Sequence, residues 1–599
     1  MEKKYMNLKK RNFIVTLVSV MSIVTLSSCT SNVSSVAQTS EDTSNDVTSN
    51  PVTSVTSSED PISEDYIYVA SVEISSEDFK TNVGATRQLN SAVLPEDAYY
   101  KSVSWSSSDT SVATVDSTGK VTGVGVGSAV ITCVSDEDSS ISDSVEVTVA
   151  IGAGFAKTVL NATVQDLNLD YSESLGEQKV LIVPIHLSKG PYSGSWTNTQ
   201  LETVNDIIFD TSDPESYVSY YKTASNGRLE LTGEVSEVYN ASYKTSDFDD
   251  ESTAWNNMLD MFENATEWVD QNDSTVDIEK DYDKNNDGYI DNIHFIVDGD
   301  DQEEWGSYIW PHMAQTGNYP GTSGGFPTVN TYSLSNLGHF EDAYTTIHEQ
   351  GHIFGLMDYY DYTYASDYDK NYDLIGGADM QDCTMFDWNV YSKMNMGWVD
   401  PYYFDGSQES ASITISPAAT SGDCIVLASD WNGNAFDEYF TLELFTKTGN
   451  NEYTWDEYED LYDSNLGEGG IRMSHVDSRV QGFNGSSNRG TDVDNIADGN
   501  FDYYDLRNSN DYTSVLDSKL IQVIEADGKN EFGYLQQGYY NQKFLEEDDL
   551  FQTGDKFTME DYSNFFVYGT KMNNGDEFPF EISFDSVSST SASITVTKK

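Results

Sequence analysis

The sequence predicts a multidomain protein, with a small β-sandwich followed by an α+β domain and a carboxyl-terminal region of one or more all-β modules. Short alternating strands separated by turn residues fill residues 66–150. Buried strand patterns and amphipathic helical patterns then mix over residues 179–401, and helical signals fade over residues 402–599. A chain of 599 residues that is 38% hydrophobic is long enough to form several cores.

The chain is strongly acidic, with a formal net charge of −69 at pH 7. Nucleic acids and anionic lipid surfaces are bound through basic patches, so we expect no nucleic-acid partner. Most of the carboxylates are expected to form a solvated surface, and the remainder can serve as ligands for divalent cations.

The amino-terminal segment predicts export. "MEKKYMNLKKRNFIVTLVSVMSIVTLSSC" has a basic start, an apolar stretch from Phe13 to Leu26, and small residues before Cys29. The ending Leu26 to Cys29 resembles the lipobox of bacterial lipoproteins. This resemblance implies a signal peptide at 1–28, a lipid on Cys29, and a place on the extracellular face of a bacterial membrane. Release of the protein from that membrane is a second possible location. The alternative is an ordinary secretory signal with an incidental cysteine.

Residues 29–65 are rich in Ser, Thr and Asp and predict a disordered tether. Within residues 66–150, "VSWSSSDTSVATVDSTGKVTGVGVGSAVITC" resembles the bacterial immunoglobulin-like (Ig-like) group 2 repeat, whose members are spacers or adhesive modules of surface proteins. Trp105 and Cys133 are then expected in the core. Residues 151–178 are interpreted as a linker or a possible pro-segment.

The segment "TTIHEQGHIFGLMDYYD" (residues 345–361) holds two of the seven histidines, four positions apart around a glutamate. Positions i and i+4 of a helix share one face, so His348 and His352 are predicted to point at one cation. Zinc accepts neutral imidazole nitrogens. Glu349 lies where a general base must reach a water on that metal. The alternatives are two buried core histidines, or an inactive peptidase retained for binding.

Two further residues extend the motif to H-E-x-x-H-x-x-G-x-x-D. Gly355 is expected to end the helix, because glycine tolerates φ > 0. Asp358 can then return a carboxylate to the cation as a third zinc ligand. This set leaves a fourth position for water or substrate, as catalytic zinc requires.

The motif resembles the signature of metzincin metallopeptidases, which usually have a third histidine where this chain has Asp358. Together with "YYKTASNGRLELTG", "YDLIGGADMQD", "YSKMNMGWVDP" and "GIRMSHVDSRV", it is similar to the M6 family, the immune inhibitor A peptidases, from Lys179 to the carboxyl end. The resemblance implies a metzincin-like zinc peptidase domain at 179–401, with His348, His352 and Asp358 as zinc ligands and Glu349 as base. For the methionine turn of that class we prefer Met380 over Met385. Either methionine could instead be a core residue.

A second cation site is predicted in "DYDKNNDGYID", where Asp283, Asn285, Asp287 and Asp291 alternate around a glycine turn. This matches the first part of an EF-hand loop for Ca²⁺. The twelfth position is His294 rather than a glutamate, and a strand pattern follows. We therefore expect a modified loop with a structural calcium, with a plain acidic turn as the alternative.

These features favour a secreted, surface-anchored zinc endopeptidase that hydrolyses extracellular proteins or peptides. A surface adhesin with an inactive peptidase domain is the alternative, and a zinc-dependent amidase shares the same site chemistry. Among the cysteines, Cys383 and Cys424 could pair, but the sequence does not place them within bridging distance.

Overall fold

The computed structural model describes about 70% of the chain, from residue 67 onward, as two compact units that divide between Ala150 and Ile151. The described residues are 67–76, 78–82, 86–125, 127–150, 154–167, 171–189, 196–248, 251–298, 309, 311–316, 327–337, 340, 343–357, 359, 386–462, 465–484, 488–493, 503–506, 519–530 and 545–599.

The first unit contains nine short strands within its described residues. They are β1 (Ser71–Ile74), β2 (Phe79–Asn82), β3 (Thr86–Gln88), β4 (Ser91–Leu94), β5 (Val103–Ser107), β6 (Ala113–Val115), β7 (Lys120–Gly123), β8 (Gly127–Ser135) and β9 (Ser142–Ala150). They form a four-stranded sheet in the order β2-β9-β8-β5, a three-stranded sheet β3-β7-β6, and the pair β1-β4. The predicted β-sandwich pattern of short strands is confirmed.

The core of this unit follows from alternation along its longest strands. Ala129, Ile131 and Cys133 of β8 are buried, whereas the residues between them are more exposed, because successive side chains of a strand point to opposite faces. Cys133 is thus a small buried hydrophobe, as expected. Trp105 differs from its prediction, since it is only half-buried and packs at the margin of the core.

The second unit begins with a six-stranded arrangement around one long central strand. Its six strands are β11 (Gly176–Lys189), β12 (Leu229–Val235), β13 (Tyr239–Lys244), β14 (Ile293–Val297), β15 (His312–Gln315) and β16 (Thr331–Asn336), and they follow the short strand β10 (Phe155–Lys157). The sheet order is β12-β11-β14-β16-β15, with β13 also on β11, and β10 belongs to a different sheet. All its pairings are parallel except β15 with β16, which are antiparallel.

Helices cover both faces of this sheet. The helices of the second unit, within its described residues, are α1 (Asn198–Phe209), α2 (Tyr217–Ala224), α3 (Glu251–Asn272), α4 (Ile278–Asp281), α5 (Tyr344–Ile353), α6 (Val390–Asn395), α7 (Ala418–Ser421) and α8 (Asn451–Tyr462). Val180 and Ile182 of β11 face the core that holds α1, α2 and α5. Leu181 and Val183 face the core that holds α3. A parallel sheet buried on both faces explains the continuous apolar run of β11.

The carboxyl-terminal half is mostly β-structure. Its strands are β17 (Tyr402–Phe404), β18 (Ser410–Ile415), β19 (Cys424–Leu427), β20 (Glu438–Phe445), β21 (Gly470–Asp477), β22 (Val480–Asn484), β23 (Asn488–Val493), β24 (Tyr503–Leu506), β25 (Ile521–Val523), β26 (Lys556–Phe557), β27 (Phe580–Val587) and β28 (Ala592–Lys598). They form the sheets β10-β17-β19-β20-β21-β25, β18-β28-β27-β26 and β23-β22-β24. The predicted β-rich region is confirmed, and it also contains the helix α8.

Two predicted boundaries look different in the structure. Residues 151–178, interpreted as a linker or pro-segment, contribute β10, which pairs with β17, and they contain the start of β11. The boundary between residues 401 and 402 runs through a shared interior, because one hydrophobic core joins α2, α5 and α6 to β19, β20 and β25. Residues from Ile151 onward therefore form one compact unit.

None of the described helices is long and apolar enough to cross a membrane.

Candidate metal centre

Helix α5 brings the two predicted histidines and the glutamate together. The rings of His348 and His352 have centroids 5.0 Å apart with an interplanar angle of 88°. One possible ligand atom from each of His348, Glu349 and His352 lies within 4.8 Å of the others. The i,i+4 spacing produces this convergence directly. The three side chains thus form a compact group of two nitrogens and one carboxylate.

The second histidine is held in a defined orientation. His352 Nδ1 lies 2.7 Å from the Leu356 carbonyl oxygen. A carbonyl oxygen only accepts hydrogen bonds, so Nδ1 must carry the proton and donate. The neutral ring then has a lone pair on Nε2, which is the state a metal ligand needs, and such second hydrogen bonds commonly orient metal-binding histidines.

Gly355 ends the helix as predicted, with φ of +99°. The Leu356 N–H donates to the Gly351 carbonyl at 3.1 Å and the Gly355 N–H to the His352 carbonyl at 3.0 Å. This is a Schellman cap, which satisfies carbonyls that a helix end otherwise leaves open. A Cβ at Gly355 would come within 2.6 Å of side-chain atoms of Tyr171 and Val164. Glycine is therefore required both for the turn and for this close packing.

Hydrogen bonds from distant parts of the chain fix the buried side of α5. The Tyr221 hydroxyl donates to the Ile347 carbonyl at 2.8 Å, and the Tyr217 hydroxyl donates to Gln350 Oε1 at 3.2 Å. Gln350 Nε2 donates to Ser333 Oγ at 2.7 Å. The sequence does not reveal these positioning residues, because 126 and 133 positions separate the tyrosines from their partners. The repeated tyrosines of α2 are visible in the sequence, but their spacing predicts only that they pack in a hydrophobic core.

Glu349 and His294 are both buried. Glu349 is 1% exposed, and its carboxylate lies beside the histidine pair. Burial lowers the pKa of His294 to about 3, against the opposing field of the Glu349 carboxylate. His294 Nδ1 lies 2.7 Å from Ser333 Oγ. His294 is consequently a neutral core residue of β14.

Zinc fits the group of side chains that α5 presents. The two imidazoles converge on one side of the helix and are nitrogen ligands of the kind that zinc accepts, and the His352 hydrogen bond sets the required tautomer. The Glu349 carboxylate lies beside them, where a base for a zinc-bound water is needed. Several predicted residues lie outside the described residues, so the third ligand and the methionine turn stay predictions. These residues are Asp358, Met380, Met385, Cys383 and Cys29.

Two further residues are buried. Tyr359 is one of them, and its hydroxyl accepts a hydrogen bond from Ser392 Oγ at 3.1 Å. It faces the protein interior. Cys424 is a buried free thiol in β19, and burial raises its pKa above the usual range for a cysteine.

The predicted calcium loop folds back on itself. The Gly288 N–H donates to Asp283 Oδ2 at 3.2 Å and the Lys284 N–H donates to Asp291 Oδ2 at 2.8 Å. Gly288 has φ of +89°, as the tight turn of such a loop requires. Burial, followed by repulsion from Asp287 and Asp283, raises the pKa of the Asp291 carboxyl to about 6, although the bond from Lys284 lowers it.

The remaining described histidines have structural partners. His186 pairs with Asp298 at the ends of β11 and β14. His312 Nε2 lies 3.1 Å from the Tyr332 hydroxyl, and His475 Nε2 lies 2.9 Å from Glu438 Oε1 inside the β-rich half. These contacts give the three histidines structural roles. His339 lies outside the described residues.

A third acidic group was not predicted. One carboxylate oxygen from each of Glu525, Asp527 and Asp549 lies within 4.8 Å of the others. Lys529 Nζ lies 2.5 Å from Asp527 Oδ2 and supplies a positive charge at its edge. Because the ammonium group of Lys529 already pairs with this cluster, we assign no metal to it.

Comparison with known families identifies the first unit. Residues 68–149 match the bacterial Ig-like domain (group 2). The chain therefore contains an Ig-like domain within a multidomain, mostly β protein, and the predicted Ig-like domain is confirmed.

Similar curated proteins match only parts of the chain. An uncharacterised protein of Clostridium acetobutylicum is 31% identical over 150 residues, which are 25% of this chain and 13% of that protein. A 3-O-alpha-D-galactosyl-alpha-L-arabinofuranosidase of Bifidobacterium longum subsp. longum is 54% identical over 68 residues, which are 11% of this chain and 6% of that protein. The glycosidase similarity is confined to the Ig-like segment.

Solved structures give only weak likenesses. Domains 4 and 5 of the S-layer protein SbsC are 21% identical, cover 14% of this chain and 52% of that chain, and give a TM-score of 0.12. A GH10 xylanase with a bacterial Ig-like domain from termite gut is 16% identical, covers 36% of this chain and 51% of that chain, and gives a TM-score of 0.11.

Proposed function

We propose that this protein is a zinc-dependent endopeptidase that hydrolyses peptide bonds of extracellular proteins. The observation that carries the proposal is the convergence of His348, Glu349 and His352 within 4.8 Å on one helix. The resemblance to the M6 family, and through it to a metzincin-like fold, supports this assignment and adds Asp358 as third ligand.

In the proposed mechanism, His348, His352 and Asp358 would hold a zinc ion. When bound, that ion would supply Lewis acidity toward the scissile carbonyl and toward a water molecule. Glu349 accepts the proton of the attacking water on a carboxylate oxygen and passes it to the leaving amine. The hydrogen bond from His352 Nδ1 to the Leu356 carbonyl keeps Nε2 free for the metal throughout the cycle.

The sheet beside α5 suggests how a substrate is held. Helix α5 packs against β15 and β16, and among the described strands β15 pairs only with β16. A strand at a sheet edge offers main-chain groups to an extended peptide, which can add as a further strand. We therefore propose an extended polypeptide as substrate, bound along β15 next to the metal centre.

The catalytic proposal is tested with Glu349→Gln in the full chain. The amide keeps the shape of the carboxyl group but cannot take up the proton, so we expect zinc content to stay near one ion per chain while casein hydrolysis falls by about 10²–10⁴-fold. Zinc is measured by atomic absorption. Glu202→Gln, on the exposed face of α1, serves as the matched control. Full casein hydrolysis by the Glu349 variant would remove this residue as the base.

We also propose where the enzyme works. The export signal and the lipobox-like ending support attachment to the extracellular face of a bacterial membrane through Cys29, with the tether and the Ig-like domain as a spacer. Mass spectrometry of the mature amino terminus tests this proposal. A first residue other than a lipid-modified Cys29 would contradict the anchor.

A surface adhesin is the second candidate function, because the Ig-like domain belongs to a group that occurs on surface proteins. Casein hydrolysis that 1,10-phenanthroline abolishes separates the two, since an adhesin needs no removable zinc for binding. Absence of cleavage by the mature protein would favour the adhesin. Cleavage profiles on a peptide library would distinguish the endopeptidase from a zinc-dependent amidase.

A further inference from the structure

One short segment joins the acidic loop at residues 281–291 to the carboxyl end of the metal helix α5. The Ser172 hydroxyl donates to the Asp291 carbonyl, and the Ser172 N–H donates to the Ile353 carbonyl at 3.0 Å. Ser172 is buried, so both bonds are shielded from water. Ser172 thus connects Asp291, the ninth position counted from Asp283, to Ile353, the last residue of α5. We call these two hydrogen bonds of Ser172 the clamp.

The neighbour of Ser172 reinforces this connection. Tyr171 packs against the position where Gly355 turns the chain after α5, at a distance that leaves no room for a Cβ. Gln165 Nε2 donates to the Ser172 carbonyl at 3.0 Å and ties the clamp to the preceding helical turn. A displacement of residues 171 and 172 therefore moves the end of α5 that carries His352.

The loop contains a buried carboxylate oxygen, Asp283 Oδ1, that a bound cation would stabilise. Asp283 is 8% exposed, and its Oδ1 is buried with no hydrogen-bond partner among the described residues. Its Oδ2 accepts from Gly288 across the loop, which directs the carboxylate inward. A buried carboxylate oxygen without a donor is costly. Asp287 and Asp291 add hard oxygen ligands of the kind that calcium prefers.

We propose that calcium binds to Asp283, Asn285, Asp287 and Asp291, and that its binding stabilises α5 through Ser172 and thereby raises the zinc affinity of His348 and His352. Without the cation, the three carboxylates repel one another and the Asp291 carbonyl is a poorly fixed acceptor. With the cation, the clamp holds the cap of α5 in place. The coupling rests on the zinc site of the proposed function.

The test measures zinc affinity of the full, metal-free chain by competition with a chromophoric chelator, with and without saturating calcium. We expect calcium to tighten zinc binding by about tenfold, within the usual range of coupling between two sites. Zinc should tighten calcium binding by the same factor, because such coupling is reciprocal. Equal zinc affinity in both conditions, while calorimetry shows calcium bound, would overturn the coupling.

Two variants separate the site from the clamp. Asp283→Asn should lose calcium binding by calorimetry and with it the calcium effect on zinc, whereas Asp206→Asn on exposed α1 should behave as wild type. Ser172→Ala keeps the N–H bond to Ile353 and should still bind calcium, but lose most of the tenfold effect. Ser591→Ala, on an exposed turn, is its control. Unchanged coupling in Ser172→Ala would contradict the clamp, and calcium binding that survives Asp283→Asn would contradict the site.

Hydrogen exchange gives a readout that does not depend on catalysis. Peptides that cover α5 should exchange more slowly with calcium in wild type and at an unchanged rate in Ser172→Ala. If calcium tightens zinc and protects α5 but casein is not cleaved, the coupling stands and the peptidase proposal fails. If casein is cleaved and calcium has no effect on zinc or exchange, only the coupling fails.

Discussion

At the scale of single residues, Gly355 combines two constraints that a matched pair of substitutions can separate. Gly355 has φ of +99° and Gly554 has φ of +97°, so alanine meets the same backbone strain at both positions. A Cβ at Gly355 would also overlap Tyr171 and Val164, whereas nothing lies within 4 Å of a Cβ at Gly554. The difference between the two variants therefore isolates the packing at the metal helix.

We predict that Gly554→Ala lowers the free energy of unfolding by about 1 kcal/mol through strain alone. Gly355→Ala should lower it by roughly 2–4 kcal/mol, since overpacking adds to the strain. It should also weaken zinc binding, because the cap of α5 moves. Urea denaturation and zinc competition measure both effects. Equal stability losses in the two variants would show that Tyr171 and Val164 yield without cost.

The same region shows which residues a sequence can reveal. The histidine spacing and the glycine turn are local, and helical geometry carries them into the structure with little help from elsewhere. The positioning residues Tyr217, Tyr221 and Ser172 lie more than a hundred positions from their partners along the chain. No periodicity links such residues, so the structure was needed to find them.

At the scale of elements, helix α6 is anchored by a fully buried ion pair. Lys393 is completely buried and Asp387 nearly so, and Lys393 Nζ lies 2.5 Å from Asp387 Oδ2. Asn450 Nδ2 donates to the other carboxylate oxygen at 3.1 Å. Burial raises the pKa of the Asp387 carboxyl, and Lys393 opposes that rise. The Asn450 hydrogen bond to Asp387 thus connects this ion pair, and with it a short helix of only six residues, to the residue before α8.

We predict that Lys393→Met costs about 3–5 kcal/mol, because it leaves a buried carboxylate without its cation. Without Lys393 the folded-state pKa of Asp387 rises further above its unfolded value, so the folded state binds this proton more tightly. The variant should then lose stability as pH rises, with a larger deficit at pH 8 than at pH 5. Urea denaturation at both pH values measures it.

An exposed ion pair provides the control. Lys556 and Glu581 are 62% and 36% exposed in their side chains, and Lys556→Met should change stability by at most about 1 kcal/mol at either pH. A similar small loss in Lys393→Met would show that the buried pair contributes little. Restored stability in the double variant Lys393→Met with Asp387→Leu would support the unpaired charge as the cause.

Most elements were predictable where one periodicity dominates. The apolar run of β11, the amphipathic face of α3 and the alternation in β27 and β28 each follow one periodicity. Helix α8 was missed, since its sequence NEYTWDEYEDLY is acidic and aromatic rather than clearly amphipathic. Residues 155–157 were assigned to a linker because three residues carry no pattern. They become strand β10 only by pairing with β17.

At the scale of the whole molecule, the sequence suggested a domain boundary after Pro401, but one hydrophobic core contains residues from both sides of it. Strand β17 begins at Tyr402 and pairs with β10 and β19, and the Thr158 N–H donates to the Pro401 carbonyl at 2.9 Å. The core behind α5 continues into β19, β20 and β25. Composition changes near residue 401, but contacts between distant segments decide where a compact unit ends.

This shared core predicts how the chain tolerates truncation. A fragment of residues 151–599 should unfold cooperatively and bind zinc as the full chain does, because the division between Ala150 and Ile151 separates two compact units. A fragment that ends at Pro401 exposes the apolar faces that α2 and α6 bury against β19 and β20. It should therefore bind the dye ANS, show no cooperative thermal transition and bind zinc weakly. Calorimetry and zinc competition on both fragments decide the matter. A cooperative transition with full zinc affinity in the shorter fragment would mean that residues 151–401 fold without the β-rich half, and that the continuous core contributes packing rather than the fold of the metal centre.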